Sequence, residues 1–288
     1  MIRFDSSGYD SAFTYLKEKS QRSLSDLVEA PGCKFAYYHF RWSNPFVRDS
    51  IEEFWRAQMK RVIDSKITVE SISGLKKYVE SHNIDNLLPE VLRYLPRGDT
   101  FNSVVYLNIG YDNVAYHDDL AINLSSPQFL TDSREVLYYL MHELAHVGYW
   151  RYHSVPDLAS PRTCGELASV VKFLTHLEGM GVITPMAMRI REGGLLNKDY
   201  QVLSDKEETL RRVRKYFEVL SELEKDSMCE TTGLIPEVYD KLSCRPLRLW
   251  YITGCHMALT IDSIYGSYEL RSLVEKGCDA FFKRYQGD

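Results

Sequence analysis

"DSREVLYYLMHELAHVGYW" (132–150) is the stretch on which the reading of this chain turns. Asp132 with Glu135 three positions later has the pattern of a helix start, and the apolar residues beyond it predict a helix through Tyr149. Inside that helix stands His-Glu-x-x-His, as His142, Glu143 and His146. Two His four apart on a helix differ by only about 40° in rotation, so their ring nitrogens can converge on one ion at roughly 2.0–2.1 Å. Glu143 follows the first His, which puts its carboxylate beside such an ion, where it can take a proton from a bound water. The flanks "EVLYYLM" and "LAHVGYW" are apolar, and a His/Glu/His cluster in such surroundings is costly to bury unless a metal or hydrogen bonds satisfy it. A Zn2+ site on His142 and His146 is therefore expected, with Glu143 as general base.

A catalytic zinc takes three protein ligands and keeps a fourth position for water. The arrangement H-E-x-x-H-x-x-G-x-x-H would need Gly at 149 and His at 152, where this chain has Tyr149 and Tyr152; Gly148 and His153 each miss by one. The third ligand is then sought on a following helix, opened by a capping-box pattern at Thr163 and Glu166. Its segment "ELASVVKFLTHLEGMGVI" (166–183) offers Glu166, His176 and Glu178. Glu178 is favoured, because the neighbouring Gly179 and Gly181 let that end of the helix approach other backbone closely. Glu166, as capping partner of Thr163, and His176 and His153 stay open as alternatives.

Outward from this centre the chain reads as follows. Residues 1–95 are mainly helical, with helices over 11–28, 49–63, 73–82 and 86–95, and "LPRGDT" (95–100) is turn chemistry that marks a boundary. "FNSVVYLNIGY" (101–111) and "LAINLS" (120–125) read as two strands, antiparallel neighbours, with "DNVAYHDD" as the turn between them. His117, Asp118 and Asp119 then belong to a solvated turn rather than to a second metal site. "LAINLS" is either an ordinary paired strand or an edge to which an extended peptide adds. The charged, amphipathic 203–226 segment reads as a surface helix; further helices are expected from Pro246 to Gly266 and from Ser267 to Tyr285.

Composition narrows the classes. Lys and Arg number 35 against 40 Asp and Glu, a net charge of −5 that gives no basic footprint for nucleic acid. No run of about 18 apolar residues exists, so no membrane span is expected. Asp5 and Asp10 precede any apolar core, the wrong order for a secretory signal. Six scattered Cys without a C-x-x-C pair fit reduced thiols in a cytoplasmic protein.

"MHELAHVG", a spacer of about thirty residues and then "HLEGMGV" together resemble the gluzincin-like predicted zinc-dependent proteases, a family of uncharacterised function. The likeness runs over residues 101–285, with specific motifs at 142–146 and 178–181, and extends to "RPLRLWYITGCHMALTIDSIYG" (245–266), similar to the family's late helix. The chain departs from the pattern at Gly181, where the family more often has Ala. The resemblance implies a zincin-like core (99–288) with a small β-sheet preceding the His-Glu-x-x-His helix; it does not reach the first hundred residues, whose own helical spacing adds a helical N-terminal subdomain (1–98), and the whole is expected to be a mostly helical α+β fold. The resemblance also implies hydrolysis of a peptide or protein substrate. Zinc would sit on His142, His146 and Glu178, and an oxyanion donor would come from Tyr251, Arg248 or His256, of which Tyr251 is favoured. A non-catalytic zinc-binding protein, or a zinc hydrolase of a non-peptide amide or ester, is the alternative.

Overall fold

The computed structural model describes the chain except Pro45, Lys66, Asp99, Cys244, Arg245 and Asp288. Asp99, where the second domain is expected to begin, therefore lies outside the described residues, as does Arg245, the first residue of the late segment. The fold is mostly helical with one small mixed sheet, an α+β architecture. It divides into two compact units, one of residues 1–89 with 100–147, the other of residues 90–99 with 148–288. No described helix is long and apolar enough to cross a membrane.

The first unit is built on four strands, β1 (Ile2–Asp5), β2 (Ser103–Asn108), β3 (Val114–Tyr116) and β4 (Asp119–Asn123), in the order β1-β2-β4-β3. β1 and β4 both run parallel to β2, and β3 is antiparallel to β4. The expectation of antiparallel neighbours at 101–111 and 120–125 is thus corrected. The three residues Val114–Tyr116, too few to show a period, form a strand of their own at the sheet edge, and the extra reversal leaves β4 parallel to β2. β4 has a neighbour on both sides, so it is an ordinary paired strand and not a free edge. β2 is buried along almost its whole length, as a strand covered on both faces must be.

Helices α1 (Ser7–Glu18), α2 (Gln21–Glu29), α3 (Pro31–Ser43), α4 (Ile51–Asp64) and α5 (Val69–Ser81) follow β1. The continuous helix expected over 11–28 is in fact two. Lys19 turns left-handed at φ 50, and the Ser20 side chain accepts the Ser23 N–H to cap α2. A 3-10 turn (Ile84–Asn86) and α6 (Leu88–Leu92) replace the fourth expected helix, and α7 (Pro127–Thr131) precedes α8 (Glu135–Trp150). α8 spans the expected range, and just ahead of it Asp132 accepts the N–H and guanidinium of Arg134.

The second unit centres on α9 (Cys164–Ile183), opened by the expected Thr163–Glu166 capping box. Around it lie α10 (Met186–Glu192), α11 (Lys198–Ser204), α12 (Lys206–Lys225), α13 (Leu234–Ser243), α14 (Leu249–Tyr265), α15 (Ser267–Lys276) and α16 (Cys278–Gln286). Two expected boundaries move. Pro246 sits in a turn ahead of α14, whose start follows left-handed Arg248 (φ 46), and Gly277 (φ 89) divides the last helix into α15 and α16. α9 and α14 cross on glycines: a Cβ on Gly254 would lie 2.1 Å from the Thr175 carbonyl, and one on Gly179 would lie 2.6 Å from the Gly254 Cα. Cys164 and Cys229 form a disulfide, Cα atoms 5.4 Å apart, which corrects the expectation that all thiols are reduced. Sequence spacing could not reveal it, since the pair is 65 residues apart. Cys33 and Cys255 are free and buried, Cys278 free and half-buried.

Candidate metal centre

α8 is apolar nearly all round: Val136, Leu137, Tyr138, Leu140, Met141, Leu144, Ala145, Val147 and Tyr149 are all buried. A helix of that kind belongs in a core. Set among these residues, His146 is only 6% exposed and Glu143 only 4%, while His142 is half-buried. Keeping such groups out of water costs several kcal/mol unless each is hydrogen-bonded or ligates a metal, roughly 2–7 for a neutral polar group and far more for a charge. The His142 and His146 rings lie one turn apart, centroids 4.4 Å from each other and planes at 79°.

Glu178, on α9, meets them. One donor atom from each of His142, His146 and Glu178 falls within 4.8 Å of the others. Three donors on a tetrahedron at about 2.05 Å from its centre would be roughly 3.3 Å apart, a spacing of the same order. Two imidazoles and a carboxylate suit zinc and its divalent transition-metal neighbours alike, and the donor set fits such an ion without choosing among them. Among the described residues no other group of His, Cys, Asp and Glu converges in this way.

The other candidates for third ligand are engaged elsewhere. Glu166 is exposed and accepts the Arg162 N–H at 2.6 Å within the cap of α9. His153 is hydrogen-bonded through Nε2 to the Val274 carbonyl. His176 is fully buried, with Nδ1 2.9 Å from the Tyr149 hydroxyl and its ring stacked on Phe281 at 4.1 Å. Burial, with a smaller contribution from His153, pushes its pKa down to about 3, so the ring is neutral. His117, at φ 53, and Asp118 form the exposed turn expected there, whereas Asp119 opens β4 and accepts the Val104 N–H at 2.7 Å.

On α14, Tyr251 is half-buried and its ring lies beneath the Arg248 guanidinium, 3.6 Å from the centroid. Arg248 in turn bonds Asp199 at 2.7 Å, an ion pair that ties the start of α14 to α11. His256, half-buried, has its pKa lowered by burial, and its ring is 6.1 Å from that of Tyr285. The sequence reading missed the Tyr149–His176 bond and the Arg248–Asp199 pair. The first had a signal: seven residues after His142 is two helical turns, which puts Tyr149 on the same face of α8. Comparison with protein-family models, with curated proteins and with solved structures returned no match.

Proposed function

We propose that this chain is a zinc-dependent metallopeptidase with a gluzincin-like core, in which His142, His146 and Glu178 hold the ion. The convergence of those three donor groups within 4.8 Å, with Glu143 buried beside the first of them, carries the reading. Zinc bound there would supply an acidified water and a positive charge facing the scissile carbonyl. Glu143 would take the proton of the attacking water on its carboxylate and hand it to the nitrogen of the leaving amine. The apolar residues of α8 keep bulk water from that carboxylate, which strengthens every electrostatic contact it makes. The Tyr251 hydroxyl, its ring held under Arg248, would donate to the oxyanion of the tetrahedral intermediate. A small sheet ahead of α8 and a close glycine crossing behind Glu178 support the reading.

The test pairs metal analysis with hydrolysis of a mixed peptide library, for wild type and Glu143→Ala. Wild type should bind one zinc and cleave peptides. The variant should keep the zinc and lose at least about 100-fold in kcat, the low end of what a positioned general base supplies. Equal turnover in both would remove Glu143 as the base. Zinc binding with no turnover in wild type would favour a binding protein instead.

A further inference from the structure

α8 and α9 carry all three candidate ligands, and one buried polar contact ties the two helices to each other. Tyr149, in the last turn of α8, and His176, in the middle of α9, share a hydrogen bond of 2.9 Å, and neither side chain is exposed at all. Their rings meet edge to face at 4.9 Å; Phe173, one turn earlier on α9, packs against Tyr149 at 5.6 Å. Phe281 stacks on the face of the imidazole at 4.1 Å.

The geometry gives this contact leverage over the metal centre. Tyr149 is three residues beyond His146 and seven beyond His142 on one continuous helix, so all three project from the same face of α8. His176 and Glu178 are two residues apart on α9, about 160° apart around its axis. A bond on one flank of α9 therefore opposes exactly the rotation that would swing the carboxylate on the other flank away from the imidazoles. The glycine crossing with α14 fixes how deep α9 lies, but a contact between two Cβ-less residues does little to resist rotation. We infer that the Tyr149–His176 pair is a positioning device that holds the rotation of α9, and with it the place of Glu178 opposite His142 and His146. The inference rests on the metal-site reading above.

Cobalt(II) uptake tests it, because the visible absorption of bound cobalt reports the geometry of its ligands without reference to activity. Tyr149→Phe removes one hydroxyl and keeps the ring. Tyr216→Phe is the matched control: its hydroxyl, also fully buried, shares a 2.8 Å hydrogen bond with Thr175, the residue next to His176. Both apo variants should unfold a few degrees below wild type. Tyr149→Phe should bind cobalt about tenfold more weakly, at the lower end of what losing an outer partner costs a metal site, with an altered spectrum. Tyr216→Phe should match wild type in both. Wild-type affinity in Tyr149→Phe, or equal losses in the two variants, overturns the inference while leaving the metal site standing. A wild-type chain that takes up no cobalt overturns the site itself and this inference with it. Should Tyr149→Phe fail to fold, His176 serves. His176→Asn, which keeps a polar group within reach of the Tyr149 hydroxyl, should retain more cobalt affinity than His176→Leu, and the opposite order overturns the pairing.

Discussion

Glu178 and Glu166 lie on the same helix, both within reach of a sequence argument for the third ligand, and the structure places them in different surroundings. Glu166 sits at the third position of α9 and closes the reciprocal cap with Thr163. Its replacement by Ala should cost about 1 kcal/mol of stability in a urea titration and leave zinc affinity unchanged. Glu178→Ala should do the reverse: stability without metal stays close to wild type, and zinc affinity, read by competition with a chelator, falls by more than the ~10–100-fold that loss of an outer partner brings. His142, Glu143 and His146 were legible from spacing, because four residues on a helix is a geometric statement that needs no neighbours. Glu178 was legible only as the favoured one of several. What distinguishes it from His176 is which side of α9 faces which helix, and that is set by packing.

At the scale of elements, the caps and the crossings behave differently. The boxes at Ser50–Glu53 and Thr163–Glu166 are local chemistry, satisfied by side chains three residues apart. The α9–α14 crossing is not: it depends on Gly254 admitting the Thr175 carbonyl. Gly254→Ala puts a methyl against backbone that cannot rotate out of the way, and should destabilise the protein by about 1–3 kcal/mol in thermal or urea unfolding. α12 offers a pH-dependent test. Hydrogen bonds from Arg211 and then Arg212 hold the Glu208 carboxyl down to about 2. A folded pKa below the unfolded value, about 4.3, contributes stability above that value and loses it as pH falls through 2. The side chain is half-buried but still in reach of solvent, which screens both ion pairs, so Glu208→Gln should cost less than about 1 kcal/mol at pH 7, and the difference from wild type should disappear near pH 2. Strands β1 and β3 escaped the sequence because four and three residues show no usable period; their existence rests on pairing with β2 and β4.

The whole molecule is cross-linked once among the described residues, by Cys164–Cys229 at the start of the helix that carries Glu178. Backbone hydrogen bonds from Cys164 to Cys229, Gly165 to Ser227 and Thr231 to Arg162 run alongside it. Closing a loop between residues 65 apart should contribute about 2–4 kcal/mol, so a Cys164→Ser/Cys229→Ser chain is expected to unfold at correspondingly lower urea. An unchanged midpoint would mean that the parallel backbone contacts already hold the two segments together. By itself the sequence determined the helical character of most of the chain, the face shared by His142 and His146, and the capping box of α9, since each depends on residues within one or two turns of each other. Tertiary structure alone decided the parallel pairing of β2 with β4, the partner of Cys164 and the approach of Glu178, 32 residues beyond His146, to the two imidazoles. Contacts between distant segments are chosen by how whole faces pack, and no local pattern of residues encodes which face meets which.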